Sequence, residues 1–107
     1  HTQAITAAGN SQATATPVPA SLSPGAVRSI GNSLNGLRLP AVTVGKMYFI
    51  TNLGDTGGFG GLNLYPATGN RINNLALNAA LAMPAQTSVI LIGVSTTRWD
   101  TFPRVPS

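Results

Sequence analysis

"KMYFITN", residues 46–52, and "TSVILIGVS", residues 87–95, decide the fold. Successive side chains of a strand point to opposite faces. The first stretch therefore sets Tyr48 and Ile50 against Met47 and Phe49, and the second sets Val89 and Leu91 against Ile90, Ile92 and Val94. Both faces are apolar in both stretches. A strand with one face in water alternates apolar and polar residues, so continuous apolarity means that both faces are covered. A small antiparallel domain rarely has enough layers for that. The economical reading is a homo-oligomer, with one face in the subunit core and the other against a neighbour. The competing reading makes these central strands beneath a long loop.

Outward from these two stretches, further strand-like runs are "AVRSI" (26–30), "GLRLP" (36–40), "LNLYP" (62–66) and "TRWDTF" (97–102). Turn signals separate them: "PG" at 24–25, "GN" at 31–32, "NG" at 35–36 and "NLGDTGGFGG" at 52–61. Short β-rich runs between Gly, Asn and Pro turns predict an all-β fold, a small antiparallel β-sandwich or barrel-like domain over residues 25–107. "INNLALNAALAM" (72–83) competes, because Ile72, Leu75, Ala76, Ala79, Ala80 and Met83 recur at helical spacing. Asn73, Asn74 and Asn78 weaken that helix.

Within "GGLNLYPATGNRINNL" (60–75), Leu62 and Leu64 alternate into the core and Tyr65 sits at the edge with its hydroxyl available to a partner. Pro66 stops the ladder because it has no N–H. Asn70, Asn73 and Asn74 supply amides to turn backbone groups. Trp99 closes the core or a subunit boundary, with a carbohydrate-stacking platform as the rival role. Arg98 and Asp100, its neighbours, point away from the ring's face.

Residues 1–24 differ in character: rich in Ala, Thr, Gln and Pro, with Pro17, Pro19 and Pro24 excluding helix. They read as an extended N-terminal arm or an edge strand that needs a neighbour, with Thr2, Gln3, Ile5, Gln12 and Val18 as candidate contacts.

The composition excludes several kinds of chemistry. His1 is the single histidine, Asp55 and Asp100 are the only side-chain carboxylates, and there is no cysteine. A Ser-His-Asp triad, a histidine or thiolate metal site and a two-carboxylate mechanism each lack members, so no enzyme, cofactor or metal is expected. "GDTGGFGG" (54–61) resembles a phosphate loop only in its glycines; no Lys-Ser/Thr follows, and a strand succeeds it instead of a helix. It reads as a hairpin connection, with Phe59 as an exposed contact. The net charge of +4 comes from six scattered cations and only two acids, which does not point to nucleic acid. No window approaches the roughly twenty apolar residues of a membrane span. With 107 residues, 43% hydrophobic and only 7% charged, the chain reads as one domain of a particle rather than a freely diffusing enzyme.

"AAGNSQATAT" (7–16), "GLRLP", "MYFITN" and above all residues 63–99, with "NLYPATG" and "RW", resemble a small module recurring in structural proteins of tailed bacteriophages. The likeness departs at 54–61, where glycines lengthen a loop, and after 101, where "FPRVPS" adds a tail. It implies a non-enzymatic virion component. At this length it implies a capsid decoration or cement protein, a homotrimer that binds the major capsid protein at the shell's exterior and reinforces it, with no nucleic acid, membrane or small-molecule substrate. The alternative is a receptor-binding or tail-fibre tip module that stacks Phe59, Tyr65 or Trp99 on a host glycan. On either reading, Met47, Phe49, Leu64, Tyr65, Ile90, Ile92 and Trp99 are the candidates for core or subunit interface.

Overall fold

The computed structural model describes residues 2–9, 11–22, 25–29, 35–54 and 61–102. Among them are ten strands: β1 (Thr2–Ala4), β2 (Thr16–Pro17), β3 (Gly25–Ser29), β4 (Gly36–Arg38), β5 (Met47–Asn52), β6 (Leu62–Tyr65), β7 (Arg71–Ile72), β8 (Leu81–Met83), β9 (Thr87–Gly93) and β10 (Arg98–Phe102). One 3₁₀ turn spans Ala20–Leu22. The protein is all-β. Six strands form one mixed sheet in the order β1-β3-β5-β9-β10-β7, and four form a second, β2-β4-β6-β8.

Antiparallel pairing was the expectation, and it holds only for β5 with β9, β9 with β10 and β6 with β8. The remaining pairs are parallel: β1–β3, β3–β5 and β10–β7 in the larger sheet, β2–β4 and β4–β6 in the smaller. The reason is the path of the chain. From β1 to β9 it changes sheet after every strand, so β1–β3, β3–β5, β2–β4 and β4–β6 each pair strands two apart in sequence, and β7 meets β10 across two intervening strands. A parallel pair needs such a crossover, and here the opposite sheet supplies it. The chain therefore passes to the other sheet between β2 and β3 and again between β3 and β4, instead of closing hairpins within one sheet.

Inward side chains of both sheets share a single buried cluster that includes Val27, Leu37, Tyr48, Ile50, Leu62, Leu64, Leu81, Leu91 and Trp99. The rings of Tyr48 and Trp99 meet edge to face at 5.7 Å and 61°, a favoured aromatic geometry. The Trp99 indole Nε1 is buried and meets no acceptor among the described residues. The Tyr48 hydroxyl donates to the carbonyls of Pro19 and Ala20 at 3.3 and 3.2 Å, fastening the turn before β3.

The first 24 residues do not form a separate arm in their described part. β1 and β2 are edge strands of the two sheets, and Ile5, Ala7, Ala15 and Val18 are buried. An isolated bridge joins Ala8 to Gly36. A Cβ on Gly36 would lie 2.7 Å from the Tyr65 ring, so glycine lets β4 pass under it.

The segment with helical spacing is instead β7, two turns and β8. Asn73 and Asn78 have φ of +52° and +67°, a left-handed conformation that no right-handed helix accommodates and that Asn tolerates better than most residues. Their amides are used as well. Asn73 Nδ2 donates to Thr101 Oγ1 at 2.8 Å, and its Oδ1 accepts from the Thr101 amide at 3.0 Å. Asn78 Oδ1 accepts from the Gly69 amide at 2.7 Å, and Asn70 Oδ1 accepts from the Val42 amide at 3.1 Å. Such bonds satisfy backbone groups that a sheet ladder leaves over.

Candidate functional site

The larger sheet has two apolar faces, and only the inner one is buried. β5 alternates as its sequence requires: Tyr48 and Ile50 are fully buried, Met47 is half-buried and Phe49 is 41% exposed. β9 repeats the pattern, with Val89 and Leu91 buried and Ile90 and Ile92 half-buried outside. In β10, Trp99 and Thr101 face inward while Phe102 is 52% exposed.

Register brings the outer residues together. Phe49 lies opposite Ile90, Ile90 opposite Phe102, and Ala26 of β3 beside Phe49. One step along, Met47 lies opposite Ile92, and Ile92 opposite Asp100. Directly opposed side chains have Cβ atoms about 5 Å apart. Met47, Phe49, Ile90, Ile92 and Phe102 thus make one continuous apolar surface, of the kind that marks an interaction site.

Charge borders this surface. Three guanidiniums, Arg28, Arg71 and Arg98, and one carboxylate, Asp100, lie on the same face. Arg98 Nε donates to Asp100 Oδ1 at 2.7 Å, with the pair partly exposed. Arg71 is the register partner of Arg98, so two like charges stand side by side. Thr51 and Ser88 continue the face with a hydroxyl pair at 3.0 Å. Among the described residues one pKa is displaced, on the inner face, where burial raises the Tyr48 phenol above its ordinary value of 10.0.

The sequence candidates separate into three groups. Met47, Phe49, Ile90 and Ile92 belong to the outer surface, as their alternation required. Leu64 and Trp99 are fully buried and Tyr65 is 9% exposed, so these three are core residues. A glycan cannot stack on Tyr65 or Trp99 without opening the fold. Among the arm candidates, Ile5 and Val18 are buried in this chain's own core. Gln12 donates to the Pro66 carbonyl at 2.7 Å and to Asn78 Oδ1 at 3.2 Å, which ties it to the corner. Thr2 and Gln3 are known here by their backbone in β1 alone. Phe59, the rest of the loop 55–60 and the tail after Phe102 lie outside the described residues. Phe102 was missed, although the two-residue period running on from Trp99 identifies it.

Among the described residues, no group of three or more His, Cys, Asp or Glu side chains gathers to hold a metal ion, and no helix is long and apolar enough to cross a membrane. No family model, curated protein or solved structure matches the chain.

Proposed function

We propose that this protein is a non-enzymatic structural component of a virion, a capsid decoration protein that associates with copies of itself and binds the shell's exterior. The observation that carries the reading is the outer face of the six-stranded sheet. Met47, Phe49, Ile90, Ile92 and Phe102 form an apolar surface on a sheet whose inner face already makes the core. In this reading the two sheets act as a sandwich, the outer face of the larger one is covered by neighbouring subunits of a homotrimer, and the major capsid protein is the partner at the shell. The likeness of residues 63–99 to bacteriophage structural modules supplies the virion context. Association of three copies multiplies weak individual contacts with the shell. The work is adhesion, with no nucleic acid, membrane, cofactor or small-molecule substrate.

Sedimentation of the purified chain, beside the double variant Phe49→Thr/Ile90→Thr, tests the assembly. Threonine keeps strand propensity while removing apolar surface. The wild type is expected to sediment as a trimer and the variant as a monomer with nearly unchanged melting. A monomeric wild type at tens of micromolar, an order at which weak oligomers form, would remove the assembly reading. Electron microscopy of the virion then places the protein on the shell or at the tail tip, and tail-tip density would favour the receptor-binding alternative.

A further inference from the structure

The two sheets end in four edge strands among the described residues, β1 and β7 in the larger sheet and β2 and β8 in the smaller. An edge strand presents unpaired backbone donors and acceptors, which proteins commonly blunt with proline or by keeping the strand short. Three of the four follow this rule. In β2, Val18 donates its amide to the Arg38 carbonyl, so the intervening Pro17 faces outward, where its missing N–H removes a donor from the rim. β7 has only two residues, and Pro84 follows directly on β8.

β1 is not blunted. Its ladder to β3 continues past Ala4, because the Ile5 amide donates to the Arg28 carbonyl at 3.0 Å. Amide and carbonyl of one strand residue point to the same side, and the side alternates along the strand. Ile5 faces β3, so the amides and carbonyls of Ala4 and Thr6 face away from it, toward solvent. Both residues are exposed. Beside this rim lies a cleft of about 160 Å³ lined by Ala4, Ile5, Thr6 and Arg28. The exposed Arg28 guanidinium has no charged or hydrogen-bonding partner among the described residues.

We propose that the free edge of β1 is a strand-acceptor site. It takes an extended segment of a partner protein that adds to the sheet through main-chain bonds at Ala4 and Thr6 and places an Asp or Glu against Arg28. The main chain supplies affinity and the side chain in the cleft supplies selectivity, as in other strand additions. Charge argues for a foreign segment over a second copy of this chain. Two β1 strands paired about a two-fold axis would present Arg28 on both sides and no anion to either. Of the chain's two carboxylates, Asp100 is held by Arg98. The inference uses the edge of the larger sheet where the trimer reading uses its outer face, and it needs no capsid; the two meet at Arg28, which borders that face.

Hydrogen exchange of the full chain, alone and with a blocked peptide Thr-Val-Thr-Asp-Thr-Val-Thr, tests it. Alone, the Ala4 and Thr6 amides should exchange rapidly while the Ile5 amide is protected. The peptide should slow Ala4 and Thr6 and bind about tenfold more tightly than its Asn twin, the ratio expected for one charge-assisted hydrogen bond. Arg28→Glu should reverse the preference in favour of a Lys twin, a readout that a merely structural role would not move. Ala4→Pro should abolish binding while leaving the melting temperature nearly unchanged, because the lost donor faces solvent. Ala4 and Thr6 amides already protected in the free protein would overturn the proposal. So would exchange unaltered by saturating peptide, or equal binding of the Asp and Asn peptides.

Discussion

The two faces of the larger sheet are built from similar side chains and meet opposite fates. Tyr48, Ile50, Val89, Leu91 and Trp99 are buried against the smaller sheet, whereas Phe49 and Phe102, with Met47, Ile90 and Ile92 between them, remain at the surface. Hydrophobicity alone therefore does not say which face is the core. What distinguishes them is the supporting polar chemistry. The inner face is stapled by amides that reach backbone groups: Asn52, fully buried, donates to the carbonyls of Met83 and Pro84 at 3.1 Å each. The outer face has instead a hydroxyl pair and a partly exposed ion pair, contacts that water can replace.

Removing a large apolar side chain from each face should give the largest difference. Leu91→Ala removes a fully buried side chain and is expected to cost about 2–5 kcal/mol. Phe102→Ser, at a half-exposed position of the neighbouring strand, should change stability by less than about 1 kcal/mol. Denaturant unfolding of both variants measures the contrast, and a similar loss in the two would mean that the outer face is as structural as the inner. Trp99→Phe sharpens it further. The substitution removes the buried indole N–H that finds no acceptor among the described residues, so its cost should stay well below the roughly 3–5 kcal/mol typical of aromatic-to-Ala changes.

Next in size is the corner that closes the inner face. Asn73→Ala removes the side-chain acceptor of the Thr101 amide and the donor to Thr101 Oγ1, and puts at a left-handed φ a residue that tolerates it less well than Asn. A loss of about 1–3 kcal/mol is expected for the two buried hydrogen bonds removed. Asn73→Gly keeps the backbone conformation accessible and loses only the bonds, so the difference between the two variants isolates the strain. Equal stability of Asn73→Gly and wild type would show that the bonds contribute nothing net.

These residues also show what was legible before the structure. Period-two alternation separated Tyr48 and Ile50 from Met47 and Phe49, and Val89 and Leu91 from Ile90 and Ile92, because the strand pleat enforces it locally. The pairing was not legible. Whether "NG" at 35–36 closes a hairpin or passes the chain to another sheet depends on the strands that flank it in space, and here β4 takes parallel neighbours on both sides. The helical spacing of residues 72–83 competed with the strand reading for a related reason, and the asparagines that weakened the helix on paper are the left-handed residues that exclude it in the structure. At the candidate site, the outer apolar surface was visible in the alternation. The free rim of β1 was not, since a strand's edge status belongs to the sheet order and leaves no mark on its own composition.

The smallest expected effect distinguishes the faces by pH. Burial favours the neutral phenol of Tyr48, so its pKa in the folded protein lies above the 10.0 of the unfolded chain. Above that lower value the unfolded chain releases a proton that the folded protein still holds, and stability falls as pH rises through this window. The contribution is fully present below pH 10 and is lost above it. Tyr48→Phe removes the titration together with the hydroxyl's contacts to Pro19 and Ala20. At neutral pH the variant should lose about 0.5–1.5 kcal/mol, the net worth of an intramolecular hydrogen bond. Above pH 10 its stability should decline less steeply than that of the wild type. Thermal melts of the two proteins between pH 8 and about 11, around the tyrosine pKa, measure the slopes. Parallel slopes would assign the alkaline loss to some other group and remove Tyr48 as the inner face's titrating element.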